Sequence, residues 1–165
     1  MILIKDSMVL IHLAKVSLLE TSCDYFGKVI IPLGVQAEIS FKEYPDTSLI
    51  LSLIEKGKIE TKEITRKELI RKANELNIYR GEAEAVALCW ELQADALATD
   101  DNNVRKKKEI LQITLIGTPA LLLQLYKKKK ITRLKLETSI KTLKTIGWFS
   151  NTIWDKILLE VEKNE

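Results

Sequence analysis

Asp6, Glu38, Glu82, Glu84, Asp100 and Asp101 are the side chains of this sequence whose types and spacing suggest chemistry. One set is expected from them: Asp6, Glu38, either Glu82 or Glu84, and either Asp100 or Asp101. Carboxylates brought together repel, and their pKa values rise unless a cation neutralises them. An oxygen-only set of this kind suits Mg²⁺ or Mn²⁺, which as hard cations prefer carboxylate and water. Nucleophilic catalysis has little support, because His12 is the sole histidine and no Ser-His-Asp arrangement follows from it. Cys23 and Cys89 lack metal-ligand spacing and are expected as free buried thiols.

Each acid also has an ordinary use. Asp6 can cap the helix that follows it, and Asp101 can cap the helix at Asn103. Glu82 and Glu84 can complement a helix dipole. Glu38 alone is a helix-surface residue. Their joint placement carries the metal reading.

That placement comes from the elements around them. Ile2-Leu3-Ile4 is an apolar run ending just before Asp6, as a buried parallel strand would. Val9, Leu10, Leu13 and Val16 then recur at helical spacing. Val29-Ile30-Ile31 is a second strand, stopped by Pro32, and the helix after it carries Glu38. Leu49–Ile54 is expected to be helical, and Lys58–Ile64 to be a third strand. Thr65–Leu76 reads as a helix with Thr65 and Glu68 in a capping box. Gly81–Leu92 is the clearest helix, with Ala85, Leu88, Cys89 and Leu92 on one stripe. Ala94–Thr99 is a fourth strand, leading into Asp100 and Asp101. A helix over Asn103–Ile110 and a fifth strand over Ile113–Ile116 follow. Three helices are expected around Ala120–Tyr126, Lys135–Ile146 and Thr152–Glu162.

Strands alternating with helices predict an α/β fold, three layers deep, on a central parallel sheet of about five strands. Open parallel sheets bind ligands beyond the carboxyl ends of their strands. Asp6 and the Asp100–Asp101 pair both stand there.

At 165 residues the chain is expected to form one domain over residues 1–165. With 46% hydrophobic and 30% charged residues it reads as globular rather than disordered. The longest apolar run is too short to span a bilayer, and no basic leader or cleavage site is evident, so no membrane association and a cytoplasmic location are expected. A net charge of +3 permits nucleic-acid binding without demanding it. The basic runs Arg105–Lys108 and Lys127–Lys130 are either solvated helix surface or phosphate contacts. Arg105 is the better candidate, being one helical turn from Asp101. Trp148, Phe149 and Trp154 are expected to pack or dock the last helices, with a partner surface as the alternative.

These stretches together resemble a PIN domain, closest to the VapC-type toxin nucleases. Asp6-Ser7-Met8-Val9-Leu10-Ile11-His12-Leu13-Ala14-Lys15 resembles the family's opening motif. Glu38 in Val35-Gln36-Ala37-Glu38-Ile39 matches its second acid. Gly81-Glu82-Ala83-Glu84-Ala85-Val86-Ala87-Leu88 is the most specific match. Leu97-Ala98-Thr99-Asp100-Asp101 is similar to the fourth-strand motif, and Ile116-Gly117-Thr118 to the turn after the fifth strand. The resemblance covers about residues 2–125, leaving C-terminal helices over 132–163.

The resemblance implies a Mg²⁺- or Mn²⁺-dependent endoribonuclease whose products carry 5′-phosphate and 3′-hydroxyl ends. It implies an RNA substrate, an antitoxin protein as partner and a homodimer. In the wider superfamily, flap endonucleases carry a similar Glu-Ala-Glu-Ala run, which favours Glu84 first and Glu82 second. The same comparison puts Thr99 and Asp101 in register and makes Asp101 the fourth ligand, with Asp100 in support. Asn102 and Asn103 stand where some relatives place a further acid, so a second metal is expected to bind weakly or only with substrate. Ser7, Asn103, Arg105 and Lys106 are the expected substrate contacts.

Competing families fit less well. A dehalogenase-like phosphatase wants a second Asp where Met8 stands. A response regulator wants its acid pair after the first strand. A dinucleotide site wants a G-x-G-x-x-G run that is missing here. The alternatives kept are a non-catalytic PIN-like module binding RNA or protein, and a structure-specific deoxyribonuclease.

Overall fold

Five short strands pair into one parallel sheet, the central ones near-continuously apolar as burial on both faces requires. The computed structural model describes residues 1–42 and 44–164. In chain order its elements begin β1 (Ile2–Lys5), α1 (Ser7–Lys15), α2 (Leu19–Phe26), β2 (Lys28–Pro32), α3 (Leu33–Lys42), α4 (Thr47–Glu55), β3 (Ile59–Lys62) and α5 (Lys67–Glu75). There follow α6 (Arg80–Leu92), β4 (Ala96–Ala98), α7 (Asn102–Arg105), α8 (Lys108–Leu111), β5 (Leu115–Ile116), α9 (Thr118–Lys127), α10 (Arg133–Ile146) and α11 (Asn151–Lys163).

Strand order is β3-β2-β1-β4-β5. Leu3 stands in register with Val29 on one side and Ala96 on the other. Alternate residues therefore build two cores. Leu3, Val29, Ile31 and Ala98 pack against α1, α2, α9 and the C-terminal helices. Ile4, Ile30 and Leu97 pack against α5, α6 and Val104. This is the expected three-layer α/β/α architecture. Trp154 and Val161 of α11 are fully buried in the first core, so the last helix is part of the fold. Among the described residues, no helix is long and apolar enough to cross a membrane.

The order of strands fixes where a site can form. From β1 the chain runs to β2 and β3 on one side, then returns with β4 and β5 on the other. The crevice of such a sheet opens where that direction reverses, beyond the carboxyl ends of β1 and β4. The Asp6 N–H donates to the Ala98 carbonyl at 3.0 Å, continuing the ladder one residue past β1. Asp6 is thereby fixed at the reversal point.

Several local expectations change. The segment Leu19–Phe26 forms a helix that was not expected, although Leu19, Cys23 and Phe26 recur at helical spacing and are its buried face. The capping box at Thr65 is absent. Glu91 of α6 accepts from the Thr65 N–H and hydroxyl, and α5 begins two residues later. The helix expected over 103–110 is two four-residue helices, α7 and α8. The third, fourth and fifth strands are shorter than expected.

Candidate active site

Asp6 ends β1 and opens α1. Its Oδ1 accepts from the Val9 N–H at 3.0 Å, so it does cap the helix. Its Oδ2 accepts from the Thr99 hydroxyl, reaching across from the end of β4. The Thr99 Oγ1 in turn accepts from the Asp101 N–H at 3.1 Å. One hydroxyl thus spaces the acids of two neighbouring strand ends. Thr99 entered the sequence reading only as a register mark, although its position two residues before Asp101 puts both on one side of an extended chain. Asp101 caps α7 through the Val104 N–H at 2.8 Å.

Burial pushes the Asp6 carboxyl up to about 7, with the Thr99 and Val9 hydrogen bonds opposing and Asp100 and Glu82 adding to the rise. The Glu82 carboxyl is also raised, by its half-burial and then by Asp101 and Glu38. These couplings link Asp6 to Asp100 and Glu82, and Glu82 in turn to Asp101 and Glu38. Glu38 accepts from the Ser7 hydroxyl at 3.3 Å and from Lys42 Nζ at 3.2 Å. Gly81, at the start of α6, allows this approach. A Cβ there would stand 2.8 Å from Glu38 Oε2.

Glu84 and Asp100 are turned elsewhere. The Gly34 N–H, in the first turn of α3, hydrogen-bonds the Glu84 carboxylate, and any Cβ at position 34 would fall on that carboxylate. Glu84 thereby satisfies an N–H that an isolated helix leaves unpaired. Burial raises its pKa, and the Gly34 N–H opposes the rise. Asp100 is buried and accepts from the Thr118 N–H at 2.7 Å, from the Thr118 hydroxyl, and from His12 Nδ1 at 2.8 Å. It caps α9 and anchors α1. His12 is fully buried, its ring meeting Trp148 and Phe149 edge to face at 5.4 and 5.3 Å. The role of His12 as the partner of Asp100 escaped the sequence reading, since 88 residues separate the two.

The expected substrate contacts spread along the rim. Arg105 is exposed, with Nη1 donating to the Thr99 carbonyl at 3.2 Å. Lys106 is exposed beside it. Asn103 turns toward the loop before α6, donating to the Asn77 carbonyl at 2.8 Å and accepting from Lys107. Lys127, from the second basic run, pairs with Glu160 of α11 at 3.5 Å.

The acids at the reversal point suit a hard divalent cation by composition: all donors are oxygen, and both Asp6 and Glu82 carry raised pKa values that an added positive charge would lower. Lys42 already approaches Glu38. Among the described residues, no three His, Cys, Asp or Glu side chains are drawn together closely enough to hold a metal ion as they stand. Glu38 and Glu82, both partly exposed, are the members with room to swing inward.

Residues 2–163 match the DUF3368 family model, a PIN domain. No curated protein matches the chain.

Proposed function

The chain belongs to the PIN domain family, and we propose that it is a divalent-metal-dependent endoribonuclease built on Asp6, Glu38, Glu82 and Asp101. One observation carries this reading. Asp6, Glu38, Glu82 and Asp101, from four different elements, couple electrostatically near the reversal point of the sheet, and Asp6 and Glu82 are raised in pKa by burial and by their acidic neighbours. A fold does not keep buried, mutually repelling carboxylates for stability.

Mg²⁺ or Mn²⁺, when bound, would supply an acidified water and positive charge at the scissile phosphate. The residues do the rest. The Val9 N–H and Thr99 hydroxyl hold Asp6 in one orientation, and the Thr99 hydroxyl ties Asp101 to it. Ser7 orients Glu38. Glu82 approaches from the first turn of α6, and Glu84 remains the alternative Glu on that turn. Arg105 and Lys106 offset substrate phosphates on the rim, as RNA binding requires.

The motifs shared with VapC-type toxins further support a toxin role, with an antitoxin protein covering the acid edge. The test is Mn²⁺-dependent cleavage of a mixed RNA pool, run beside Asp6→Asn and a duplex DNA control. Metal-dependent RNA cleavage lost in Asp6→Asn is expected. Full cleavage by that variant overturns the assignment, and cleavage of DNA alone moves it to a deoxyribonuclease.

A further inference from the structure

Beside the acid edge lies a cavity of about 480 Å³ between the β4 and β5 ends and the C-terminal helices. Its size falls within the range of small-ligand sites. Asp100 and Asn102, which flank Asp101, line one side, and Trp148, Phe149 and Ile153 line another. Arg105 and Lys156 add cations to the wall.

Trp148 is the informative residue. An exposed tryptophan on a loop between helices ordinarily has freedom to turn. This one keeps 43% of its surface exposed, yet its indole N–H donates to the Asp100 carbonyl at 3.1 Å. The edge contact with His12 at 5.4 Å braces it further. An aromatic face is thus presented to solvent at fixed orientation, one residue from the candidate ligand Asp101. Asp100 turns both of its oxygens to Thr118 and His12, so it offers the cavity its backbone carbonyl rather than a free carboxylate. Arg105 is likewise oriented, by its bond to the Thr99 carbonyl.

A pinned aromatic ring beside two cations is the chemistry that single-stranded nucleic acid selects: a base stacks on the ring while phosphate meets the charge. We propose that this cavity is a nucleotide subsite, in which Trp148 stacks one unpaired base of the substrate and Arg105 and Lys156 take the adjoining phosphates. The assignment rests on the nuclease reading for its place beside the scissile bond. It specifies more than that reading: the substrate is unpaired at this position, and the subsite works without metal.

The experiment is binding of a fluorescein-labelled oligouridine to the full chain in EDTA, followed by anisotropy. Trp148→Ala is expected to weaken binding roughly 5- to 100-fold, the usual range for one lost base stack. Trp148→Phe, which keeps a ring but not the bond to the Asp100 carbonyl, is expected to restore part of it. Lys156→Glu, on the exposed face of α11, is expected to weaken binding and flatten its salt dependence, without reliance on the indole. A duplex RNA of equal length is expected to bind less tightly and to ignore Trp148→Ala.

Equal affinity of wild type and Trp148→Ala, with Lys156→Glu also unchanged, overturns the subsite, as does failure of the wild type to bind the oligonucleotide. Tryptophan fluorescence that responds to protein concentration and not to RNA would assign the face to a second copy of the chain, and also overturns it. Because no metal is present, a chain that cleaves nothing but loses oligouridine affinity in Trp148→Ala keeps the subsite and sinks the nuclease reading. Metal-dependent cleavage with affinity untouched by these variants does the reverse.

Discussion

Two buried polar groups lie side by side at the end of β4 and differ in kind. In the first, Asp100 receives the Thr118 N–H, the Thr118 hydroxyl and His12 Nδ1, so its carboxylate is surrounded by donors. In the second, Asp6 receives two hydrogen bonds yet is still pushed up to about 7, because burial and neighbouring acids outweigh them. Adjacent residues in the chain, Asp100 and Asp101, belong to different groups. A satisfied carboxylate holds elements together, whereas carboxylates crowded against one another are maintained for something that arrives from outside. A similar division separates Glu84, which meets the Gly34 N–H, from Glu82, whose charged neighbours are Asp101, Glu38 and Lys42.

This division can be broken first at activity. Asp6→Asn and Glu82→Gln are each expected to lower Mn²⁺-dependent RNA cleavage about 100- to 1,000-fold, the scale of one lost charge-stabilising group, while circular dichroism stays that of the wild type. Cleavage that survives Glu82→Gln but not Glu84→Gln would reverse the roles assigned on α6.

Stability is the next handle. Asp100→Ala strips the acceptors from Thr118 and His12, and is expected to cost about 3 kcal/mol or more in a urea titration. A cost under about 1 kcal/mol would mean that Asp100 is not the anchor described.

The pH dependence of folding sharpens the contrast. The folded Asp6 carboxyl, at about 7 against 3.8 for the free side chain, binds its proton more tightly than the unfolded chain does. Stability from this group is therefore present below about pH 4 and is lost as pH rises toward 7. The loss reaches about 1.4 kcal/mol per pH unit at its steepest. Metal-free urea titrations at several pH values should show this slope in the wild type and lose it in Asp6→Asn. Identical slopes in both would place the titration elsewhere.

The smallest effect belongs to Glu84. Glu84→Gln keeps an acceptor for Gly34 and removes a charge that burial already disfavours, so stability is expected to change by less than about 0.5 kcal/mol. A larger loss of cleavage than of stability would return Glu84 to the metal site.

Sequence reasoning reached the sheet because parallel strands buried on both faces are apolar throughout, as Ile2-Leu3-Ile4 and Val29-Ile30-Ile31 are. The family resemblance also favoured Asp101 over Asp100. It did not reveal which way Glu82 and Glu84 turn. For Glu84 that depends on Gly34, whose missing side chain makes room for its carboxylate across a long stretch of chain, as Gly81 does for Glu38. The failed capping box has the same origin: Glu91, from another helix, takes the Thr65 donors. Local patterns therefore identify elements and strand ends, while the partner of each acid is decided by what packs against it.

The place of β1 in the sheet has a consequence for synthesis on the ribosome. β1 can pair with β2 early, since Leu3 meets Val29, but its other neighbour supplies Ala96. Contacts between residues so far apart close late in folding. A nascent chain that ends before β4 holds Asp6 and Glu38 without Thr99 and Asp101. The acid edge is thus assembled only when most of the chain has been made.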